Sequence, residues 1–249
     1  MELISRIWPV IFAAFIGSFI GVIVARIEEP RGILFGRSAC ASCGVRLAPR
    51  DLVPLGSWLF LRGRCRSCGE SIGWFHPAIE LAAMAVALGP ALLFSGPLVW
   101  VSCLLGWTLL ALAAIDLRYF LLPDFLTVPL IPAGILATWA FDPASLLSHF
   151  AGAAAGYGFV VLLRLIYKAI RSREGIGLGD AKLLAAAGAW VSWTGLPSVI
   201  VLGSFAGLLF ALWGKLRGDT LSLTNPVPFG TFLCLGIWAV WLYGPLTIG

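Results

Sequence analysis

Charge is what this chain has least of. Only 12% of its 249 residues are Asp, Glu, Lys or Arg, and it has two His, while 60% are hydrophobic and the mean hydropathy is +0.97. A soluble domain carries roughly 25% charged residues, so about half of the usual polar surface is missing. The scarcity of histidine leaves no apparent Ser/His/Asp set. His76 and His149 fall at predicted helix starts on opposite sides of a membrane, which argues against a shared metal site. There is no internal repeat or low-complexity tract. Ala-x-Ala-like cleavage chemistry is lacking where Val24-Ala25-Arg26 leads into Glu28 and Glu29, so the first apolar run reads as a retained helix rather than a signal peptide.

What the chain has in place of charge is a series of apolar runs. A spanning helix needs roughly 20 mostly apolar residues, and runs near that length are expected at Ile7–Ala25, Pro77–Phe94, Leu98–Ile115, Leu126–Phe141, Leu146–Ile166, Ala181–Trp193, Leu196–Trp213 and Phe229–Leu246. Leu126–Phe141 and especially Ala181–Trp193 are short for a span. Eleven Trp and 16 Phe suit interfacial belts and lipid-facing rings. The net charge of +5 could suggest nucleic acid as a partner, but topology explains the basic residues better, and no nucleic acid is expected.

Eight alternating passes with both ends outside put most basic residues on the cytoplasmic side, as the positive-inside rule requires. Eight Arg fall in the first inner segment: Arg26, Arg31, Arg37, Arg46, Arg50, Arg62, Arg64 and Arg66. Arg118, Lys168, Arg171, Arg173, Lys215 and Arg217 fall in the others, and the predicted outer turns carry no Lys or Arg. The expected fold is therefore an all-α polytopic membrane protein of about eight transmembrane helices. Its divisions are a first helix over 1–25, a small cytoplasmic zinc-binding domain over 26–76, and a membrane domain of about seven helices over 77–249.

Within 26–76, Cys40-Ala-Ser-Cys43 and Cys65-Arg-Ser-Cys68 each let two thiolates converge from a tight turn, with Gly44 and Gly69 following. Two such knuckles complete a tetrahedral structural zinc site. The 21 intervening residues slightly exceed the usual spacing of about 15–20. Disulfides are the alternative, and a reducing cytoplasm disfavours them. Cys103 and Cys234 read as small core residues.

The six Asp stand at 51, 116, 124, 142, 180 and 219. Asp116 ends one apolar run and Asp180 precedes another, at similar depth on the cytoplasmic side. Ionisable groups so placed point to function. Asp180 closes Gly175-Ile-Gly177-Leu-Gly179-Asp180, where absent side chains at Gly177 and Gly179 let another backbone approach the carboxylate. Two facing carboxylates can share a proton, one activating water while the other polarises a scissile carbonyl. The competing reading makes both interfacial, Asp180 as a helix N-cap and Asp116 as the partner of Arg118. Asp124, in Leu122-Pro-Asp-Phe, rivals Asp116 but reads better as a cap.

Together these residues resemble the type IV prepilin peptidases. The likeness rests on Gly17–Arg26, the two knuckles with Leu52–Trp58 and Leu61–Cys65 between them, Pro77-Ala-Ile-Glu80, Ile115-Asp116-Leu117, Leu122–Thr127, Gly177–Lys182 and Pro226–Gly230. Gly21 stands where the family usually has Asn, and His76 where Tyr is common. The resemblance implies an enzyme of the bacterial inner membrane in which Asp116 and Asp180 are catalytic. It would cleave the basic leader of prepilins or pseudopilins after a Gly at the cytoplasmic face, and methylate the new N-terminus with S-adenosylmethionine. Glu80 is a candidate participant in methyl transfer or a structural Glu at a helix N-terminus. Three other readings compete: a presenilin-like protease cutting within the bilayer, a proton-coupled transporter using the same aspartates, and an assembly scaffold.

Overall fold

The computed structural model describes residues 2–28, 38–171, 177–217 and 227–246. Gly175, Arg31, Arg37, Arg173, Asp219 and Pro226 lie outside the described residues. The elements are α1 (Glu2–Arg26), α2 (Gly56–Phe60), α3 (Phe75–Leu93), α4 (Pro97–Tyr119), α5 (Asp124–Phe141), α6 (Leu146–Arg171), α7 (Leu178–Leu216) and α8 (Phe229–Tyr243). Strands are absent among the described residues, which hold two isolated bridges, Ala39 to Arg46 and Arg64 to Ser71. The expected all-α membrane protein is what forms. The chain divides into two compact units, Met1–Ala111 and Leu112–Gly249.

In the first unit α1 and α3 pack antiparallel, Gly17 against Glu80 and Ala83, Gly21 against His76 and Ile79. Trp107 of α4 donates its indole N–H to the Ala83 carbonyl at 3.1 Å. Between α1 and α3 lies the cysteine segment, which is organised around the half-buried Trp58. That indole donates to the Ile72 carbonyl at 3.2 Å and stacks obliquely on Trp74 at 4.4 Å.

In the second unit α6 lies tightly on the first part of α7, because a Cβ on Gly152 would sit 2.6 Å from the Gly188 carbonyl oxygen. His149 ties three helices together, its Nδ1 lying 3.0 Å from Thr138 Oγ1 and 3.1 Å from the Ala189 carbonyl. Trp190 donates to the Leu130 carbonyl at 2.8 Å. Each bond satisfies a polar group that lipid cannot.

Among the described residues six helices are long and apolar enough to cross a membrane, and α8 is a shorter apolar helix. The difference from eight lies in α7, which joins two predicted runs into 39 residues interrupted at Ser192 (φ 65°, ψ 172°). The two parts run in opposite directions. Leu122 touches both Gly179 and Gly230, Trp190 then meets Trp241 at 5.2 Å, and Phe210 returns to Phe232 at 5.3 Å. Thus α7 ascends along α8 as far as Ser192 and descends again. The turn implied at Thr194-Gly195, between the expected runs Ala181–Trp193 and Leu196–Trp213, begins two residues earlier, where Ser192 Oγ accepts the Thr194 N–H. The last helix stops at Tyr243 rather than Leu246 because Gly244 takes φ +84° and Pro245 follows.

Candidate active site

Asp116 lies in the last turn of α4 and is 6% exposed. Its Oδ2 accepts the Thr231 backbone N–H at 2.7 Å and lies 3.0 Å from the Thr231 hydroxyl, which is also 3.0 Å from the Ala113 carbonyl. Thr231 is in the first turn of α8, so the carboxylate satisfies one of the orphan N–H groups at that helix end. Asp180 is the third residue of α7, whose N-cap is Gly177. The two carboxylates line one open cavity of about 270 Å³ with Gly177, Gly179, Leu122 and Gly230. All four residues predicted around the dyad therefore meet in one place.

Asp124 does not line this cavity. Lys182 Nζ holds both of its oxygens, at 2.6 and 2.7 Å, in a pair whose Asp side is 65% exposed. Thr231 was missed by sequence reasoning although the Pro226–Gly230 motif ends one residue before it; nothing local marks it as the partner of an Asp 115 positions away.

The four cysteines outside the membrane helices also converge, each Sγ within 4.8 Å of every other. The knuckles are built alike. Gly44 N–H bonds Cys40 O and Gly69 N–H bonds Cys65 O, both at 2.9 Å, with φ of +69° and +71° at the two glycines. Cys40 and Cys68 Sγ are 3.8 Å apart, which matches the edge of about 3.8 Å that Zn–S bonds of about 2.3 Å give in a tetrahedron. Backbone N–H groups of Cys43 and Ser42 pull the Cys40 thiol down to about 6, while at Cys68 the Glu70 backbone bond is outweighed by burial and the other three thiols, which push it up to about 12; opposed shifts of this kind are what sulfurs crowded round one point produce. The set can hold a metal ion. Asp51 and Arg66 brace the long loop between the knuckles at 2.7 Å, and that guanidinium holds the Asp51 carboxyl below its ordinary value.

Glu80, 5% exposed, accepts the Leu55 backbone N–H at 2.7 Å. Leu55 has φ +56°, unfavourable for a side chain with a Cβ, and this buried carboxylate anchors it. The contact gives Glu80 a structural role in fastening the cysteine segment to α3.

The chain matches the family models for the bacterial peptidase A24 N-terminal domain over residues 11–94 and the type IV leader peptidase family over residues 103–212. It is 38% identical over 264 residues to a prepilin leader peptidase/N-methyltransferase of Burkholderia pseudomallei (strain K96243), covering 95% of this chain and 85% of that one. The chain belongs to the type IV leader peptidase family. Relatives bearing the same name in Aeromonas hydrophila, at 34% identity over 94% of this chain and 89% of theirs, and in Dichelobacter nodosus, at 33% over 94% and 90%, extend the likeness. No solved structure matches the chain. The family's first region contains the cysteine cluster and Glu80; its second contains Asp116, Asp124, Asp180 and Lys182. Nothing in these comparisons favours the transporter reading.

Proposed function

We propose that this multi-pass membrane enzyme cleaves the basic leader from type IV prepilins or type II secretion pseudopilins, with Asp116 and Asp180 as its catalytic pair, and then methylates the new N-terminus. The observation that carries the peptidase reading is an open cavity into which α4 and α7 bring two carboxylates. One carboxylate takes a proton from a water held between them, and the hydroxide attacks the scissile carbonyl. The other, protonated, donates to the departing amine, and the peptide C–N bond breaks. Thr231 fixes one oxygen of Asp116 and leaves the second to work on water. Gly177 and Gly179 leave room for an extended backbone beside Asp180.

The positive-inside distribution of Lys and Arg supports a cytoplasmic position for both the dyad and the cysteine domain, and the bacterial sources of the relatives support the inner membrane. The substrate's apolar helix then stays in the bilayer while its leader reaches the carboxylates. Residues 26–76 form the zinc domain and 77–249 the protease domain. Cys40, Cys43, Cys65 and Cys68 would hold zinc, which supplies structure to a segment with little core of its own. The relatives' name supports methyl transfer, with S-adenosylmethionine as donor. The deciding experiment incubates the purified protein in detergent with a prepilin, with and without that donor, and weighs the product. Loss of the leader, and a product one methyl heavier only when donor is present, is the expected result; an intact prepilin would overturn the reading.

A further inference from the structure

The wall of the carboxylate cavity contains one large aliphatic side chain in an unusual position. Leu122 belongs to the short connection between α4 and α5, yet it fills a notch between the first turns of α7 and α8. A Cβ on Gly179 would lie 3.0 Å from Leu122 Cβ, and a Cβ on Gly230 would lie 2.8 Å from Leu122 Cδ1. That same point above Gly230 is 3.1 Å from Asp116 Oδ2. The leucine and the carboxylate thus border one small space, and two glycines make room for the leucine to be there.

The connection holds Leu122 from both sides. Before it, Phe120 takes φ +55° and its N–H bonds the Asp116 carbonyl at 2.9 Å. After it, the Pro123 carbonyl accepts the N–H groups of Leu126 and Thr127, both at 3.1 Å, and the Thr127 hydroxyl at 3.2 Å. Asp124 is then clamped by Lys182. A side chain whose backbone is tied at each end is a fixed wall rather than a flap.

From this geometry, and resting on the peptidase reading above, we infer that Leu122 is a specificity-determining residue: it limits the size of the substrate residue that supplies the scissile carbonyl. The Cα of that residue is bonded directly to the attacked carbon. When the carbonyl reaches the carboxylates, the first side-chain atom of that residue is the group that meets Leu122. A residue without a Cβ passes, and each added carbon must displace a wall that is tied down. One methylene in an apolar pocket is worth about 10- to 200-fold in discrimination.

The test uses the full-length protein in detergent and one prepilin made with Gly, Ala or Val at that residue. Relative kcat/KM is read by competition, from the masses of the products. Wild type should prefer Gly over Ala by at least about tenfold, and Leu122→Ala should shrink that ratio about tenfold, chiefly by speeding the Ala substrate. Leu122→Val, which leaves a branched aliphatic wall of intermediate size, should move the ratio the same way by less, and it serves if the alanine variant does not accumulate. A Gly/Ala ratio that stays at the wild-type value in the variants that still cut the Gly substrate would overturn the assignment while leaving the peptidase reading intact. Failure of wild type to cut any of the three would overturn the peptidase reading and this inference with it.

Discussion

Between Ser38 and Trp74 the one buried hydrophobic residue is Cys65, whereas beyond Ala111 side chains such as Leu112, Ile115, Leu183, Leu233 and Ile237 are fully enclosed. The first region positions its polar groups by local turns: each knuckle closes within six residues, and the two meet around a would-be ion. The second positions its carboxylates by helix packing, and the partners of Asp116 and Asp124 stand 115 and 58 positions away. A site made of turns stands or falls with what its thiols bind. A site made of packed helices survives the loss of any one polar contact and suffers in rate instead. The comparison predicts two different kinds of failure.

The largest effect is expected at the dyad. Asp116→Asn and Asp180→Asn should each slow leader cleavage about 10²- to 10⁴-fold while the protein still accumulates in membranes, as product mass and an immunoblot would record. Cleavage that survives either change removes that residue from the mechanism and turns attention to Asp124. Next comes the metal. Structural zinc is worth about 10 kcal/mol to the domain it folds, so Cys43→Ser with Cys68→Ser should abolish bound zinc by elemental analysis and open residues 38–74 to protease. Helical circular dichroism should hold. If the helical signal collapses as well, the two regions are not separately held and the contrast drawn above breaks.

Thr231→Val should cost less, about 10- to 100-fold in kcat, the worth of a hydrogen bond to a charged group, and Thr231→Ser should restore most of it. An unchanged kcat in the valine variant would leave Thr231 with packing alone. Smallest of all is Asp124→Asn. Its pair with Lys182 is largely exposed, and such pairs contribute about 0–1 kcal/mol, so cleavage should change by no more than about fivefold. A loss as deep as that of Asp116→Asn would restore Asp124 as the rival catalytic acid.

What could be read in advance followed the same division. Both knuckles were visible because their spacing is local, and Gly177-Leu-Gly179-Asp180 was visible because three of four residues that shape the approach adjoin one another. The helix ends matched to within a few residues at α3, α4 and α5, where polar residues flank apolar runs. Thr231, Lys182 as the holder of Asp124, and Leu122 in its notch were illegible, since each depends on which helix ends become neighbours. Ser192 was illegible for another reason. A positive φ at a serine leaves no mark in composition, and the glycine that suggested a turn is Gly195, three residues on.

The turn at Ser192 has a consequence for the substrate. The ascending leg of α7 from Leu178 to Trp190 is 13 residues, about 20 Å at 1.5 Å per residue, against a hydrocarbon core about 30 Å thick. That leg does not meet lipid, because Ala181 and the residues from Leu183 to Trp190 are buried among α5, α6 and α8. The shortfall of about 10 Å is taken up inside the protein, where the open cavity beside Asp180 admits water. A substrate segment drawn up to the carboxylates would leave lipid for water, and solvent would then compete for its backbone hydrogen bonds. A helix is a poor thing to cut, because its peptide groups are already engaged with one another. The short leg would let water, with no deformation of the bilayer, loosen the segment that has to be opened.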